Sequence, residues 1–331
     1  MKVLCDFHHG GLYHAMQLLF EKRLGYEIYR PIGYEWLPWW RVSDLEPTQR
    51  AYLNPGGEHW LADDGYWRWV DHGAELEHKC LTFEQFCNED VGLIVSTHPG
   101  HERTWCEMWR KHKPTAKLIR VAGNTGETIN PAYTFNLLDS TSYFHGQAPN
   151  FQTFHQEFPL DAFTETAPPE RLIMRQYLNF FKNHPMYEQH WQRYKPLLPE
   201  FEWRMHGHQG DHGFLHPLSR IAASMLDSTF VWHIKQEGYG HVLHNAFAAG
   251  RPVITHIADY RERTGGALLE DGVTCIDIGK GSVADNVAKI RHYAKRENLL
   301  PMCKAARERF GQVVDFDKEE QEIRAFMRGL V

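Results

Sequence analysis

Two periodicities take turns along the chain. Residues 2–7 (KVLCDF) are a short apolar run with strand character, and 8–11 (HHGG) are a polar, glycine-bearing loop. Leu12, Ala15, Met16, Leu19 and Phe20 then recur at helical spacing as far as Gly25, which stands where a helix-ending glycine belongs. Residues 26–32 (YEIYRPI) predict a second strand. Strand, helix and strand return at 91–98 (VGLIVSTH), 102–112 (ERTWCEMWRKH) and 116–124 (AKLIRVAGN), and 141–146 (TSYFHG) adds a further strand. Beyond them, 201–207, 228–235, 251–257 and 273–279 read as strands. Residues 184–196, 217–227, 240–249 and 283–297 read as helices, and 301–330 is helical and charged.

Two stretches break the regularity. Residues 34–90 are aromatic and turn-rich, which predicts an insertion of long loops and short helices packed by its own tryptophans. Residues 150–172 hold prolines and few periodic positions, as an interdomain linker does. With 331 residues, more than one core usually serves, the expectation is two α/β domains. The first covers 1–152 and the second 153–310, and a C-terminal helix over 311–331 is placed to cross back to the first.

Composition narrows the function classes. No run is long and apolar enough to span a bilayer, and the start reads as a strand instead of a signal peptide. Six scattered cysteines without a C-x-x-C pair suit reduced thiols in a cytoplasmic protein. The net charge of −6 argues mildly against general nucleic-acid affinity, since phosphate contacts dominate such binding. The 22 histidines and 11 tryptophans are the outliers, and they suit a cleft lined with imidazole and indole.

The densest chemistry lies at 236–254, QEGYGHVLHNAFAAGRPVI. A strand ending near Lys235 runs through Glu237, Gly238, Tyr239 and Gly240 into a helix whose inward face is Val242, Leu243, Ala246 and Phe247. Free N–H groups and the positive helix end then face outward from the carboxyl edge of a sheet, where a phosphate is well served. The glycines let a ligand approach the backbone closely. Glu237 stands just outside the helix, placed to accept from sugar hydroxyls; a capping or solvent role is the plainer alternative.

This stretch resembles the donor signature of family-4-type glycosyltransferases of the GT-B fold. There a Glu-Gly-Phe/Tyr-Gly turn precedes a helix ending in Ala-x-Gly-x-Pro-Val, and a second glutamate follows eight positions after the first. This chain has Asn245 at that place, an amide still able to hydrogen-bond ribose hydroxyls. Other parts line up in order: HHGG at 8–11, STHPGH at 96–101, PLDAFTE at 159–165, and DGVTCIDI at 271–278 with Cys275 in place of a glycine. Only 237–252 is specific.

The resemblance implies two facing Rossmann-like domains with an interdomain cleft. The N-terminal domain is then the acceptor side and the C-terminal domain the nucleotide-sugar side. It implies a catalytic site of His98 and Glu237, with donor contacts from Gly10, Gly11, Arg175, Lys182, His206, Gly207, Gly238, Tyr239, Gly240, His241 and Asn245. Arg175 and Lys182 are the basic pair for the diphosphate, more widely spaced than usual. The implied reaction moves a sugar from a nucleotide-sugar, UDP-linked by preference, to a hydroxyl, with retention and without a metal. A loose likeness of residues 6–33 to phage-associated enzymes points to a hydroxymethylated DNA base as acceptor, in a host cytoplasm. The acidic balance points to a glycan or small molecule instead.

Competing readings attach to other residues. HGHQGDHGFLH at 206–216 resembles a metallohydrolase string one residue too long, so a metal-dependent hydrolase stands as an alternative. A catalytically silent nucleotide- or sugar-binding module is another. The basic run 110–120 with Arg103 is either a phosphate-tracking strip or a solvated helix end. Trp36, Trp39, Trp40, Trp60, Trp67 and Trp69 either stack on a ligand or pack the insertion. No P-loop, G-x-S-x-G, H-E-x-x-H or D-x-D motif is present.

Overall fold

The computed structural model of the chain describes residues 1–6, 10–36, 59–71, 76–97, 101–178, 185–215, 218–236 and 238–330. It divides into two compact units, Met1–Phe158 with Phe316–Val331, and Pro159–Asp315.

The first unit is built on a nine-stranded sheet. Its strands are β1 (Lys2–Cys5), β2 (Glu27–Pro31), β3 (His59–Leu61), β4 (Trp67–Asp71), β5 (Leu76–Leu81), β6 (Val91–Ser96), β7 (Lys117–Ala122), β8 (Asn136–Asp139) and β9 (Asn150–Thr153). They lie in the order β3-β4-β5-β2-β1-β6-β7-β8-β9, and every pairing from β5 to β9 is parallel. Helices α1 (Gly10–Gln17, prolonged by a π-helical turn to Arg23), α2 (Phe83–Asn88) and α3 (Glu102–His112) connect them. Covered strands become nearly continuous apolar runs, as in Val3-Leu4-Cys5 and Leu93-Ile94-Val95, all fully buried. The strand order reverses between β1 and β6, the switch point at which such sheets leave a crevice for ligands. There the buried Asp6 carboxylate accepts the Thr97 N–H at 2.6 Å and ties the two strand ends together.

The second unit holds five parallel strands, β10 (Ile173–Tyr177), β11 (Glu202–His206), β12 (Phe230–Trp232), β13 (Val253–Thr255) and β14 (Cys275–Asp277), in the order β11-β10-β12-β13-β14. Its helices are α4 (Pro185–Tyr194), α5 (Leu218–Leu226), α6 (His241–Ala248), α7 (Val283–Ala294) and α8 (Arg296–Val313). Its core is aromatic: Trp191 packs edge-on against Trp203 and Trp232, Tyr194 lies tilted against Trp232, and Phe230 is buried in the same cluster. The switch point here lies between β10 and β12.

Helix α9 (Phe316–Arg328) belongs to the first unit, with Ile323 and Phe326 in its core. Arg23 grips Glu157 at 2.6 and 2.9 Å and Asp317 at 2.8 Å, and Glu319 accepts the His155 N–H at 2.8 Å. The second unit begins after Phe158, not 152, because β9 pairs with β8 and the chain beyond it is held by α9.

Several expectations need correction. The aromatic insertion is not only loops and short helices: β3, β4 and β5 extend the sheet, and Trp36 fills the main core against Phe83, Phe86 and Trp105. Its indole N–H donates to the Leu81 carbonyl at 3.1 Å, so this tryptophan packs the unit. Trp39 and Trp40 lie outside the described residues. Residues 141–146 form turns; the strands of that region are β8 and β9, each only four residues long. Strand β10 carries Arg175 and Gln176 at its centre, which hides a buried strand from an apolar-run criterion. The helical tail is two helices, broken between Val313 and Phe316.

Candidate functional site

The second unit gathers the largest set of the expected donor residues. Strand β12 ends at Trp232, and the chain passes through His233, Ile234 and Lys235 before the glycine turn and α6. Gly238 and Gly240 both take left-handed backbone angles, φ 91° and 88°, which a side chain disfavours. Gly240 is the N-cap of α6 and offers no capping side chain. The first N–H groups of α6 therefore keep the unsatisfied donors and partial positive charge that suit an anion. His241 opens the helix and is half-buried.

Tyr239 is 3 % exposed, and its ring stacks on His244 at 4.2 Å and 10°. His244 is fully buried, with Nδ1 3.0 Å from the Gly240 carbonyl. These two rings fix the turn from beneath, so Tyr239 offers its backbone and not its ring face. Asn245 sits one turn further along. It is 6 % exposed, and its Oδ1 is buried without a hydrogen-bond partner among the described residues. An acceptor in that state invites a hydroxyl.

Four residues that sequence reading left out converge here. Lys235 reaches over the turn, its Nζ 3.1 Å from where a Cβ on Gly238 would stand. Arg263 donates to the Gln236 carbonyl and lies over the Tyr260 ring at 5.5 Å. Tyr260 and His233 close on the N-cap from below. A Cβ on Gly240 would lie 3.5 Å from Tyr260 Cε1 and 4.0 Å from His233 Nε2. Lys235 stands one residue before the signature stretch, so nearness could have flagged it. Arg263 and Tyr260 arrive from the loop after β13, and only strand adjacency reveals them.

The basic pair fares differently. Arg175 is 4 % exposed in β10, and its guanidinium donates to Asp227 at 2.8 Å and to His206 Nε2 at 3.0 Å. Two of its donors are thus engaged within the chain, and Lys235 and Arg263 are cations beside the glycine turn. Lys182, His98 and Glu237 lie outside the described residues, as do His8 and His9.

His206 and Gly207 stand at the end of β11, on the same sheet edge two strands from β12. His206 accepts from Arg175, and burial followed by the Arg175 charge pushes it down to about 4, so the ring is neutral. The loop after it closes on itself, Gly207 N–H to the Gly213 carbonyl and His212 N–H to the Met205 carbonyl, both at 2.9 Å. Gly210 presses so closely on the Met205 carbonyl that a Cβ would come within 2.5 Å. His208 stacks on Phe214, and His206 stacks on Tyr177 with the His212 ring edge-on at 5.6 Å. Among the described residues no three His, Cys, Asp or Glu side chains form a group that could hold a metal ion.

In the first unit Gly10 and Gly11 open α1, and a Cβ on Gly10 would meet nothing within 4 Å. The basic run is engaged at home. Arg103 pairs with Glu107, Arg110 lies over Phe135, and Lys113 donates to the Cys87 carbonyl. Arg120 is buried against Glu102 and Glu127. Among the described residues no helix is long and apolar enough to cross a membrane.

No protein-family model matches the chain, and no curated protein does. Solved structures match it end to end. HepE of Anabaena, solved with UDP and glucose, is 11 % identical with a TM-score of 0.62, covering 100 % of both chains. The pneumococcal O-GlcNAc transferase GtfA, solved with UDP and GlcNAc, is 12 % identical with a TM-score of 0.62, covering 99 % of both. Sucrose-phosphate synthase of Thermosynechococcus elongatus is 8 % identical with a TM-score of 0.61, over 99 % of this chain and 98 % of that one. The fold is thus α/β of the GT-B type with two Rossmann-like domains.

Proposed function

We propose that this protein is a glycosyltransferase that draws a sugar from a nucleotide-sugar, UDP-linked by preference. One observation carries the reading: α6 opens on two left-handed glycines beside Lys235 and Arg263, in a fold whose counterparts were solved with UDP. In this reading the diphosphate sits on the first N–H groups of α6, and the two cations offset its charge. Asn245 accepts from a ribose hydroxyl. Glu237 orients the sugar hydroxyls and His98 flanks the transferred sugar, with Gly10 and Gly11 admitting the donor. Charge developing on the leaving diphosphate meets fixed dipoles and side-chain cations, so the reaction runs without a metal. The configuration at the anomeric carbon is retained.

The acceptor is a hydroxyl of a glycan or small molecule. The engagement of Arg103, Arg110, Lys113 and Arg120 within the chain supports this over a duplex. Melting temperature with saturating UDP, GDP, ADP and their sugars tests the donor half, since a ligand specific to the native state raises it by mass action. A rise confined to one nucleotide series is expected, and no rise with any of them overturns the reading. Transfer to hydroxymethyl-pyrimidine duplex, falling steeply with salt, would overturn the acceptor assignment.

A further inference from the structure

His233 is a buried polar side chain of the second unit beside the start of α6. It follows the last residue of β12, and its backbone N–H donates to the Ile254 carbonyl at 2.9 Å. The ring is 4 % exposed, and Nε2 is buried with no hydrogen-bond partner among the described residues. A buried polar atom in that state carries a desolvation cost that a ligand group would relieve. Nε2 lies beside the N-cap of α6, 4.0 Å from where a Gly240 Cβ would stand. Gly240 has no Cβ, so nothing on the cap blocks the ring from what binds there.

We propose that His233 is a phosphate-gripping residue of this site, its Nε2–H donating to a phosphoryl oxygen seated on the first turn of α6. This deepens the donor reading above and rests on it. Two independent features then aim at one anion: the N–H groups of the helix start from one side and an imidazole from beneath. The groups facing the ring are Lys235 on its own segment and Tyr260 from the loop after β13, with ring centroids 6.1 Å apart. Neither is an acid, so no described neighbour competes with the phosphate for the imidazole proton. In the free protein burial, and after it Lys235, pushes His233 down to about 3, so the ring donates as a neutral imidazole. An arriving diphosphate adds negative charge where Lys235 had opposed protonation. Binding therefore raises the affinity of the ring for a proton.

The test compares His233→Gln with His233→Asn, both of which keep a polar amide in the buried position. A glutamine amide reaches the place of Nε2, and an asparagine amide falls short of it. Affinities for UDP and for uridine are measured by titration calorimetry on the full chain. His233→Asn is expected to weaken UDP about tenfold or more, the worth of a hydrogen bond to a charged group, and to leave uridine within twofold. His233→Gln is expected to keep UDP within about threefold of wild type. Equal UDP affinity in all three proteins overturns the assignment, and so does equal loss of UDP and uridine, which is the mark of packing alone. If the wild-type protein binds no nucleoside diphosphate, the donor reading itself falls and takes this inference with it.

Discussion

Arg251 holds α6 from its C-terminal end, and replacing it by methionine is the sharpest test of how the second unit is built. The residue is 1 % exposed and has no carboxylate within ion-pair distance among the described residues. Its charge is carried by carbonyl oxygens instead. Nη2 donates to Leu226 O at 2.6 Å and to Thr166 Oγ1 at 3.0 Å, and Nη1 to Thr166 O and Ala249 O at 3.1 Å. Leu226 ends α5 and Ala249 is the C-cap of α6, so one guanidinium sits at the negative ends of two helix dipoles. Methionine fills the volume but leaves those carbonyls bare. Each good hydrogen bond to a charged group contributes about 1.5–3 kcal/mol, offset by the relief of no longer desolvating the cation. The net expected loss is about 3–5 kcal/mol, a third or more of a typical domain's stability. Arg251→Lys keeps the charge with fewer donors and should fall between. Urea unfolding gives the total, and hydrogen exchange on peptides covering 218–226 and 241–249 shows whether the loss is local. A methionine variant within about 1 kcal/mol of wild type, with unchanged exchange in both helices, would refute the argument.

Other consequences are as direct. His78 and His233 are held at about 3 by burial, against an ordinary value near 6.5. Unfolding lets them bind protons below 6.5, so stability is flat above that pH and falls as pH drops from 6.5 towards 3. By pH 5 each costs about 2 kcal/mol, read as a lower urea midpoint than at pH 7. Gly266→Ala places a Cβ 2.2 Å from the Tyr260 carbonyl, and its thermal midpoint should fall steeply while Gly10→Ala, with open space around it, leaves the midpoint unchanged or higher. If Gly10 admits the donor, that second variant loses transfer without losing stability, which an activity assay beside the melting curve decides. Arg23→Ala removes the grip on Glu157, Asp317 and Glu320, and exchange across 316–328 should accelerate by about fivefold, worth about 1 kcal/mol.

What the sequence disclosed follows from the range over which each feature is encoded. The strand-turn-helix at 228–249 was legible because its strand, glycines and helix face are contiguous. Helix α1 was legible from its spacing, although its second half widens into a π-helical turn. Strand β10 was not, because a buried parallel strand is recognised by an unbroken apolar run and this one carries Arg175 and Gln176. Their polarity is met by contacts no local rule foresees, Asp227 and His206 for the arginine. The strands of the insertion escaped because β4 pairs antiparallel with β5 through bulky tryptophans, which read as irregular packing. Near the glycine turn, Arg263 and Tyr260 could not be read locally either, since they come from the loop after β13 and only the pairing of β13 with β12 brings them beside it.

The charge pattern at the start of α6 gives these departures a common sense. Where the resembling enzymes carry a second glutamate this chain has Asn245, a neutral acceptor, and beneath the N-cap it has a neutral imidazole. Lys235 and Arg263 stand above the turn, and the helix adds its own partial positive charge. Asn245→Glu would put a longer, charged side chain where a 6 % exposed amide now fits. Burial penalises that carboxylate, and its charge opposes that of a diphosphate, so the substitution is expected to weaken UDP binding at pH 7.5. Tighter UDP binding by Asn245→Glu would refute this argument.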